Sequence, residues 1–438
     1  MTVSVVRFDG SLDSIQQAIE LCDGFAKLDR SARILIKPNV SYAGLLPIPL
    51  YGMFTTATMV QGVLQALLEY GCKHICIGEG SIVKVLGSRT ERGYIRTGIK
   101  EVAKKYGVKL FDFSQGPFEK RELGDIKVGV SRMVLDADFL INMPVLKTHS
   151  MVKVSLGFKN LKGCLDMNSR KLFHRKGLDH YIYLLNELIE CDLTVIDGIY
   201  MLERGPDTIL GAAHRKDLII ASRDKFSCDC IGAVILGVNP FEVGYLREYA
   251  EAHNLPLDVA MIQTQGLNVE ALKEKLQWIS DVDKDLLRPA GITGLSVPHP
   301  GYNLCSGCYI NLILALVILS RVSRQRSFND SVILCGGGAI AEAAPQRLLL
   351  YGNCAIQKNK LAKYASHIEG CPPSVMNTLG FMFGTFLSSS GSIQMLLLES
   401  SRLLASTTSM SADFLPQWKL YRPPMFDRNH FCLCKAAA

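Results

Sequence analysis

No stretch of this sequence is both long enough and apolar enough to cross a bilayer. The longest apolar run, Tyr309 to Ser320, is about a dozen residues, and a spanning helix needs roughly 20. The N-terminus, MTVSVVRFDGSLDS, lacks the basic start, apolar core and small-residue cleavage site of a secretory leader. Together these absences make a cytoplasmic protein the expectation. Neither a Gly-x-Gly-x-x-Gly string nor a Walker loop occurs, which excludes the usual nucleotide sites. There is no internal repeat. Charged residues make up only 20% against 48% hydrophobic, so a disordered chain is excluded.

What is present points to an α/β fold. At 438 residues the chain is too long for one small core, and two or three domains are expected. Short apolar runs suit buried strands at Val3–Phe8, Ile34–Lys37, His74–Gly78, Val108–Phe113, Phe139–Asn142, Leu193–Ile196, Leu218–Ala221 and Val259–Gln263. Helical spacing occupies Thr55–Tyr70, Ile99–Tyr106 and Tyr181–Cys191. Such alternation predicts a mainly parallel sheet flanked by helices. The charged stretch Asp281–Pro289 and the turn-rich Pro298–Gly301 mark a boundary. The expected organisation is an α/β domain over 1–275 and a linker over 276–300. A smaller α/β cysteine-rich lobe follows over 301–395, then a loosely packed tail over 396–438.

Ligands of open parallel sheets bind beyond the carboxyl ends of the strands. Lys37-Pro-Asn39, Glu79-Gly-Ser81, Asn142 and Asp197-Gly198 all fall there. The segment Lys147–Lys176 carries six lysines and two arginines against the single acid Asp166, an excess equal to the chain's whole net charge of +7. Such a concentration favours a carboxylate or phosphate ligand, although a solvated basic face has the same composition. Lys37, Asn39, Lys147 and Lys162 are the candidate substrate-binding residues. His149, Lys159 and Glu79 are the candidate catalytic ones. His149 has a free pKa suited to proton transfer, and Lys159 and Lys162 share a face if helical. Each also has a structural reading: a hydrogen-bonded histidine, solvent-exposed lysines, and a carboxylate at a helix N-terminus. Asp197-Gly198 reads more naturally as a turn.

Fourteen cysteines in a chain without a leader suggest metal ligands, reactive thiols or small core residues rather than disulfides. Cys22, Cys72, Cys76, Cys164 and Cys191 stand in apolar contexts and read as core, as does the Cys228-Asp-Cys230 pair. The C-terminal third is different. It reads Cys305-Ser-Gly-Cys308, Gly352-Asn-Cys354 and Gly370-Cys-Pro-Pro373. A Cys-x-x-Cys pair can place two sulfurs on one cluster, and a glycine before each single cysteine permits close backbone approach. Cys335 is a reserve ligand. Structural zinc or unliganded thiols remain open from the spacing alone, although zinc ribbons usually carry two Cys-x-x-Cys pairs.

These cysteine motifs resemble the proximal cluster site of nickel–iron hydrogenase small subunits and the related subunit of respiratory complex I. The resemblance implies one 4Fe-4S cluster on Cys305, Cys308, Cys354 and Cys371. Ile36-Lys-Pro-Asn39, Gly78-Glu-Gly-Ser81, Asn142–His149 and Gly157-Phe-Lys-Asn-Leu-Lys-Gly163 together resemble the domain of unknown function 362 family over roughly residues 30–240. Members of that family often carry an iron–sulfur module, usually a ferredoxin-like run of cysteines that this chain lacks. A fainter likeness to lactate racemases rests on His149 and Lys159, ten residues apart. The family likeness implies a fold and a site but no reaction; from the basic segment and the cysteines the expected function is an iron–sulfur oxidoreductase of anaerobic habit acting on a small anionic substrate, with an electron-transfer protein as a further partner. Neither nucleic acid nor a membrane is expected as a partner. Two other classes compete: a non-redox racemase or isomerase with a structural cluster, and an electron carrier or cluster scaffold.

Overall fold

The computed structural model describes residues 2–40, 49–81, 89–256, 258–298, 304–322, 327–338, 345–386 and 425–431. The apolar runs become strands. They are β1 (Val3–Arg7), β2 (Arg33–Pro38), β3 (His74–Glu79) and β4 (Lys109–Asp112), then a separate hairpin of β5 (Phe118–Leu123) and β6 (Ile126–Ser131). After these come β7 (Phe139–Met143), β8 (Val145–His149), β9 (Lys153–Val154), β10 (Leu193–Glu203), β11 (Ala212–Ser222) and β12 (Thr264–Gly266). The main sheet runs β12-β1-β11-β10-β7-β2-β3-β4, with β8 on β10 and β9 on β8. Pairing is parallel from β10 through β4, and β11 is antiparallel to both its neighbours. The sheet is mainly parallel and flanked by helices, as the alternation predicts.

A second sheet, parallel throughout, is built from β13 (Thr293–Ser296), β14 (Ser327–Cys335), β15 (Arg347–Tyr351) and β16 (Ser366–Ile368). Strand β13 lies inside the stretch read as linker. Between the sheets runs the helix Ser306–Val322, whose residues from Leu312 to Leu319 are at most 1% exposed. A helix that is apolar all round must be buried on every side. Here one hydrophobic core joins Ile34, Ile36 and Ile199 of the main sheet to Leu316 of this helix and Leu349 of β15. Among the described residues, no helix is long and apolar enough to cross a membrane.

Three sequence expectations change. Val259–Gln263 is not a strand: backbone bonds from Met261 to Asp258 and from Ile262 to Val259 close a 3-10 turn over Val259–Met261, the Asp258 side chain caps it by accepting from the Ala260 amide, and β12 begins at Thr264. Asp197 is no turn residue but lies within β10, where its carboxylate accepts from the Thr56 amide and hydroxyl at 2.7 and 2.8 Å. That bond anchors the start of the helix Ala57–Tyr70, for which Thr56 is the N-cap. The described part of the tail is firmly packed. Phe426 stacks on Tyr200 with ring centroids 5.7 Å apart, and the Tyr200 hydroxyl meets His430 Nδ1 at 2.8 Å. Aromatic rings hold this segment where periodicity gives no signal. Cys432 and Cys434, also read as tail, lie outside the described residues.

Candidate functional site

Strands β2, β3, β7 and β8 deliver Lys37, Asn39, Glu79, Asn142, Lys147 and His149 to the carboxyl edge of the main sheet. Lys37 and Glu79 form an ion pair of 2.9 Å with both side chains wholly buried. Glu79 Oε2 also accepts from the Val40 amide, and its Oε1 accepts from the Gly80 amide. The basic segment lies directly on this pair, since a Cβ at Gly163 would collide with the Glu79 carboxylate and lie 2.8 Å from Lys37 Nζ.

A chain of amide side chains fastens the segment to the strand ends. Lys147 Nζ donates to Asn39 Oδ1 at 2.7 Å and to the Met53 carbonyl at 2.6 Å. Asn39 donates to Asn160, Asn160 to Asn142, and Asn142 to the Gly157 carbonyl, all at 2.8–2.9 Å. From below, Asp229 accepts from the amides of Gly157 and Phe158 at 2.7 and 2.9 Å. The turn bearing Lys159 is thereby held from both sides. Burial pushes the Asp229 carboxyl up to about 7, against the lowering effect of those two amides.

Lys159 and Lys162 follow on a short helix, Gly157–Asn160, and a 3-10 turn, Leu161–Cys164. Both line a cavity of about 150 Å3 together with Asn39, Glu79 and His174. The cysteine lobe adds Cys305, Ser306, Gly307, Cys371 and Pro372 to the same lining. Burial lowers the pKa of Lys159 to about 8. Burial also holds Lys162 well below the ordinary lysine value, with Lys159 and Arg170 adding to the effect. Lys162 Nζ meets His174 Nε2 at 2.6 Å.

A second, more enclosed chamber of about 50 Å3 lies alongside and shares Asn39, Ser155, Lys159 and Ser306 with the first. Lys147, His149 and Asp207 line it as well. Burial, then the charge of Lys159, lowers Lys147 to about 7. His149 Nδ1 accepts from the Met151 amide, so the ring proton resides on Nε2, which faces Ser306 Oγ at 3.3 Å. Burial, reinforced by Lys159, keeps this imidazole neutral. The histidine therefore touches the cysteine loop directly.

Cys305 and Cys308 flank the first turn of the helix Ser306–Val322. The hydrogen bond from the Cys308 thiol is the main cause that brings Cys305 down to about 6, and the Cys308 and Gly307 amides and the Lys162 charge assist. Cys308 is raised by the same bond, then by burial and by the charge of Cys305. Cys354 is exposed as a residue, and burial, followed by Cys305 and Cys371, raises its thiol. At Gly352 (φ 86°) a Cβ would come within 3.4 Å of Cys308 Sγ. Among the described residues, no three His, Cys, Asp or Glu side chains are arranged to hold a metal ion. Cys305, Cys308, Cys354 and Cys371 offer the thiolate donors that an iron–sulfur group takes. They do not form a closed single-ion site of the structural zinc kind.

The structure thus brings all the candidate lysines, His149, Asn39 and Glu79 to one sheet edge, with Cys305 and Cys371 lining the same cavity. It adds Asn160, His174, Asp207 and Asp229, which sequence reasoning passed over. The one available signal was an acid, Asp229, inside an otherwise apolar helix (Lys225–Ile235). Cys228 and Cys230 beside it are buried core, as expected.

Known proteins resemble the first part of this chain. The chain is 25% identical over 236 residues to the thylakoid-associated protein sll1697 of Synechocystis sp., covering 52% of this chain and 71% of that protein. Among solved structures it matches the lactate racemase apoprotein from Thermoanaerobacterium thermosaccharolyticum with a TM-score of 0.34 and 10% identity. That match covers 52% of this chain and 56% of the other. Residues 34–234, which run from β2 to the helix bearing Asp229 and stop short of the cluster cysteines, match the family described as Domain of unknown function (DUF362).

Proposed function

We propose that this protein is an iron–sulfur enzyme acting on a small anionic substrate held between the sheet edge and the cysteine lobe. The observation that carries this reading is the shared cavity, which Lys159, Lys162 and His174 line together with Cys305 and Cys371. Two buried amines without a carboxylate partner among the described residues repel each other until an anion enters. A carboxylate or phosphate there would accept hydrogen bonds from Lys162 and Lys159 and restore their protonated forms. Lys37 and Glu79 fix the floor, and Lys147 and Asn39 fix the side. His149 lines the inner chamber and offers its Nε2 proton to Ser306, which lines both. A 4Fe-4S group held by Cys305, Cys308, Cys354 and Cys371 would supply one-electron chemistry beside that anion. The basic wall would also raise its potential. An electron-transfer protein is then the natural external partner.

The test is purification without oxygen, followed by iron and sulfide analysis and absorption spectroscopy. About four irons per chain and a broad band in the visible blue are expected. Adding small carboxylates should perturb the cluster's paramagnetic spectrum in the parent protein but not in Lys162→Ala. Colourless protein with stoichiometric zinc refutes the reading.

A further inference from the structure

The buried amines of the site are not equivalent. Lys37 is held by Glu79 and by the Pro38 carbonyl. Lys147 is held by Asn39 and Met53, and Lys162 by His174. Lys159 makes one long hydrogen bond, 3.4 Å to Ser155 Oγ, and has no carboxylate partner among the described residues. At that length the bond is weak and leaves the nitrogen available. The same side chain lines both chambers. With its pKa lowered by burial to about 8, a usable fraction is free amine near neutral pH.

The inner chamber supplies what an amine nucleophile requires. At about 50 Å3 it exceeds the ~10–15 Å3 that one water occupies on this measure. Asp207 lines it, is 2% exposed, and uses only Oδ1, which accepts from the Ile209 amide at 2.8 Å. Its Oδ2 is buried with no hydrogen-bond partner among the described residues. Such an orphaned oxygen is costly unless water or a reacting group meets it.

We infer that Lys159 forms a Schiff base with a small 2-oxo acid, whose carboxylate rests on the Lys162–His174 side of the outer cavity. This deepens the proposed function and rests on its anion-binding site. The Lys159 nitrogen lone pair attacks the carbonyl carbon, the C=O π pair moves to oxygen, and the oxygen takes a proton. The nitrogen loses one proton, giving a neutral carbinolamine. Protonation of the carbinol hydroxyl then lets it leave as water while the nitrogen lone pair forms C=N. No oxidant or reductant is consumed. The released water has the inner chamber to enter, and Asp207 Oδ2 is there to hold it and carry the proton.

The test treats the full-length protein, purified without oxygen, with glyoxylate and sodium cyanoborohydride near neutral pH. Peptides are then mapped by mass spectrometry. A carboxymethyl adduct on Lys159 should form on the order of tenfold or more faster than on an exposed lysine such as Lys127, given the difference in free-amine fraction. Excess oxalate, an anion without a reactive carbonyl, should slow that labelling. Asp207→Asn should slow adduct formation while leaving oxalate affinity, read by calorimetry, in place. Labelling spread over surface lysines with Lys159 unmodified overturns the inference. If oxalate still binds in that case, the anion site stands and the Schiff base alone falls. If oxalate also fails to bind, both readings fall.

Discussion

Replacing Glu79 by alanine strands a buried charge, and the structure sets the size of the effect. The Lys37–Glu79 pair is wholly buried at 2.9 Å, and the carboxylate accepts two further amide bonds, from Val40 and Gly80. Hydrogen bonds to a charged group are each worth about 1.5–3 kcal/mol. Desolvation of both ions offsets much of that sum in the intact pair, but removing one partner leaves the other's desolvation uncompensated. In the variant, Lys37 Nζ retains the Pro38 carbonyl at 3.2 Å. A loss of about 3–5 kcal/mol follows. Glu79→Gln should fall between, because an amide presents donors to Lys37 or to the backbone amides whichever way it is turned. Lys37→Met with Glu79→Leu removes the stranded charge and should recover at least about 2 kcal/mol relative to the sum of the single changes. Urea unfolding followed by far-ultraviolet circular dichroism on the parent, Lys37→Met, Glu79→Leu and the double variant closes the cycle. A Glu79→Ala protein within about 0.5 kcal/mol of the parent, or a double variant no better than additive, would refute a structural ion pair and return Glu79 to acid–base work.

Further outcomes can be checked alongside. The Asp229 carboxyl titrates near 7 when folded and near 4 when unfolded, so the folded state holds the extra proton between those values. Its contribution to stability is full below about pH 4 and is lost as pH rises to about 7, with a slope of up to about 1.4 kcal/mol per pH unit. Asp229→Asn should flatten that part of the stability–pH curve, and an unchanged slope would sink the assignment. Lys162→Ala should leave the circular dichroism spectrum intact and weaken oxalate binding by about 1–3 kcal/mol, as calorimetry would show. Cys305→Ser and Cys371→Ser should each sharply lower bound iron in anaerobic preparations, whereas Cys22→Ser, a buried core thiol, should keep it. Full iron in both cavity-facing variants would move the ligand set elsewhere. Gly163→Ala should destabilise the fold and reduce anion binding together, because its methyl group would strike the Glu79–Lys37 pair.

The local chemistry of this protein was written plainly along the chain. Apolar runs of four to six residues separated by amphipathic helices imply a mainly parallel sheet, since period and length are local properties. Helix Ile99–Tyr106 and strand β2 fall almost where their patterns place them. The clustering of lysines after Asn142, and glycines beside paired and single cysteines, likewise mark where charge and thiols gather without any knowledge of contacts. What the sequence leaves undetermined is pairing across distance. Val259–Gln263 has a strand's composition, yet it begins with a 3-10 turn capped by Asp258. Asp197-Gly198 has a turn's composition but is carried inside β10 by pairing with β11 and β8, and Thr56, 141 positions away, meets its carboxylate. Only the tertiary structure unites Lys37 with Glu79, Lys147 with Asn39, and Asn160 with Asn142, and only it sets Cys305 and Cys371 in one cavity with Lys159. Those juxtapositions depend on burial of the apolar helix Ser306–Val322 between two sheets. That burial draws the cysteine turn onto the strand ends and makes one cavity from two lobes.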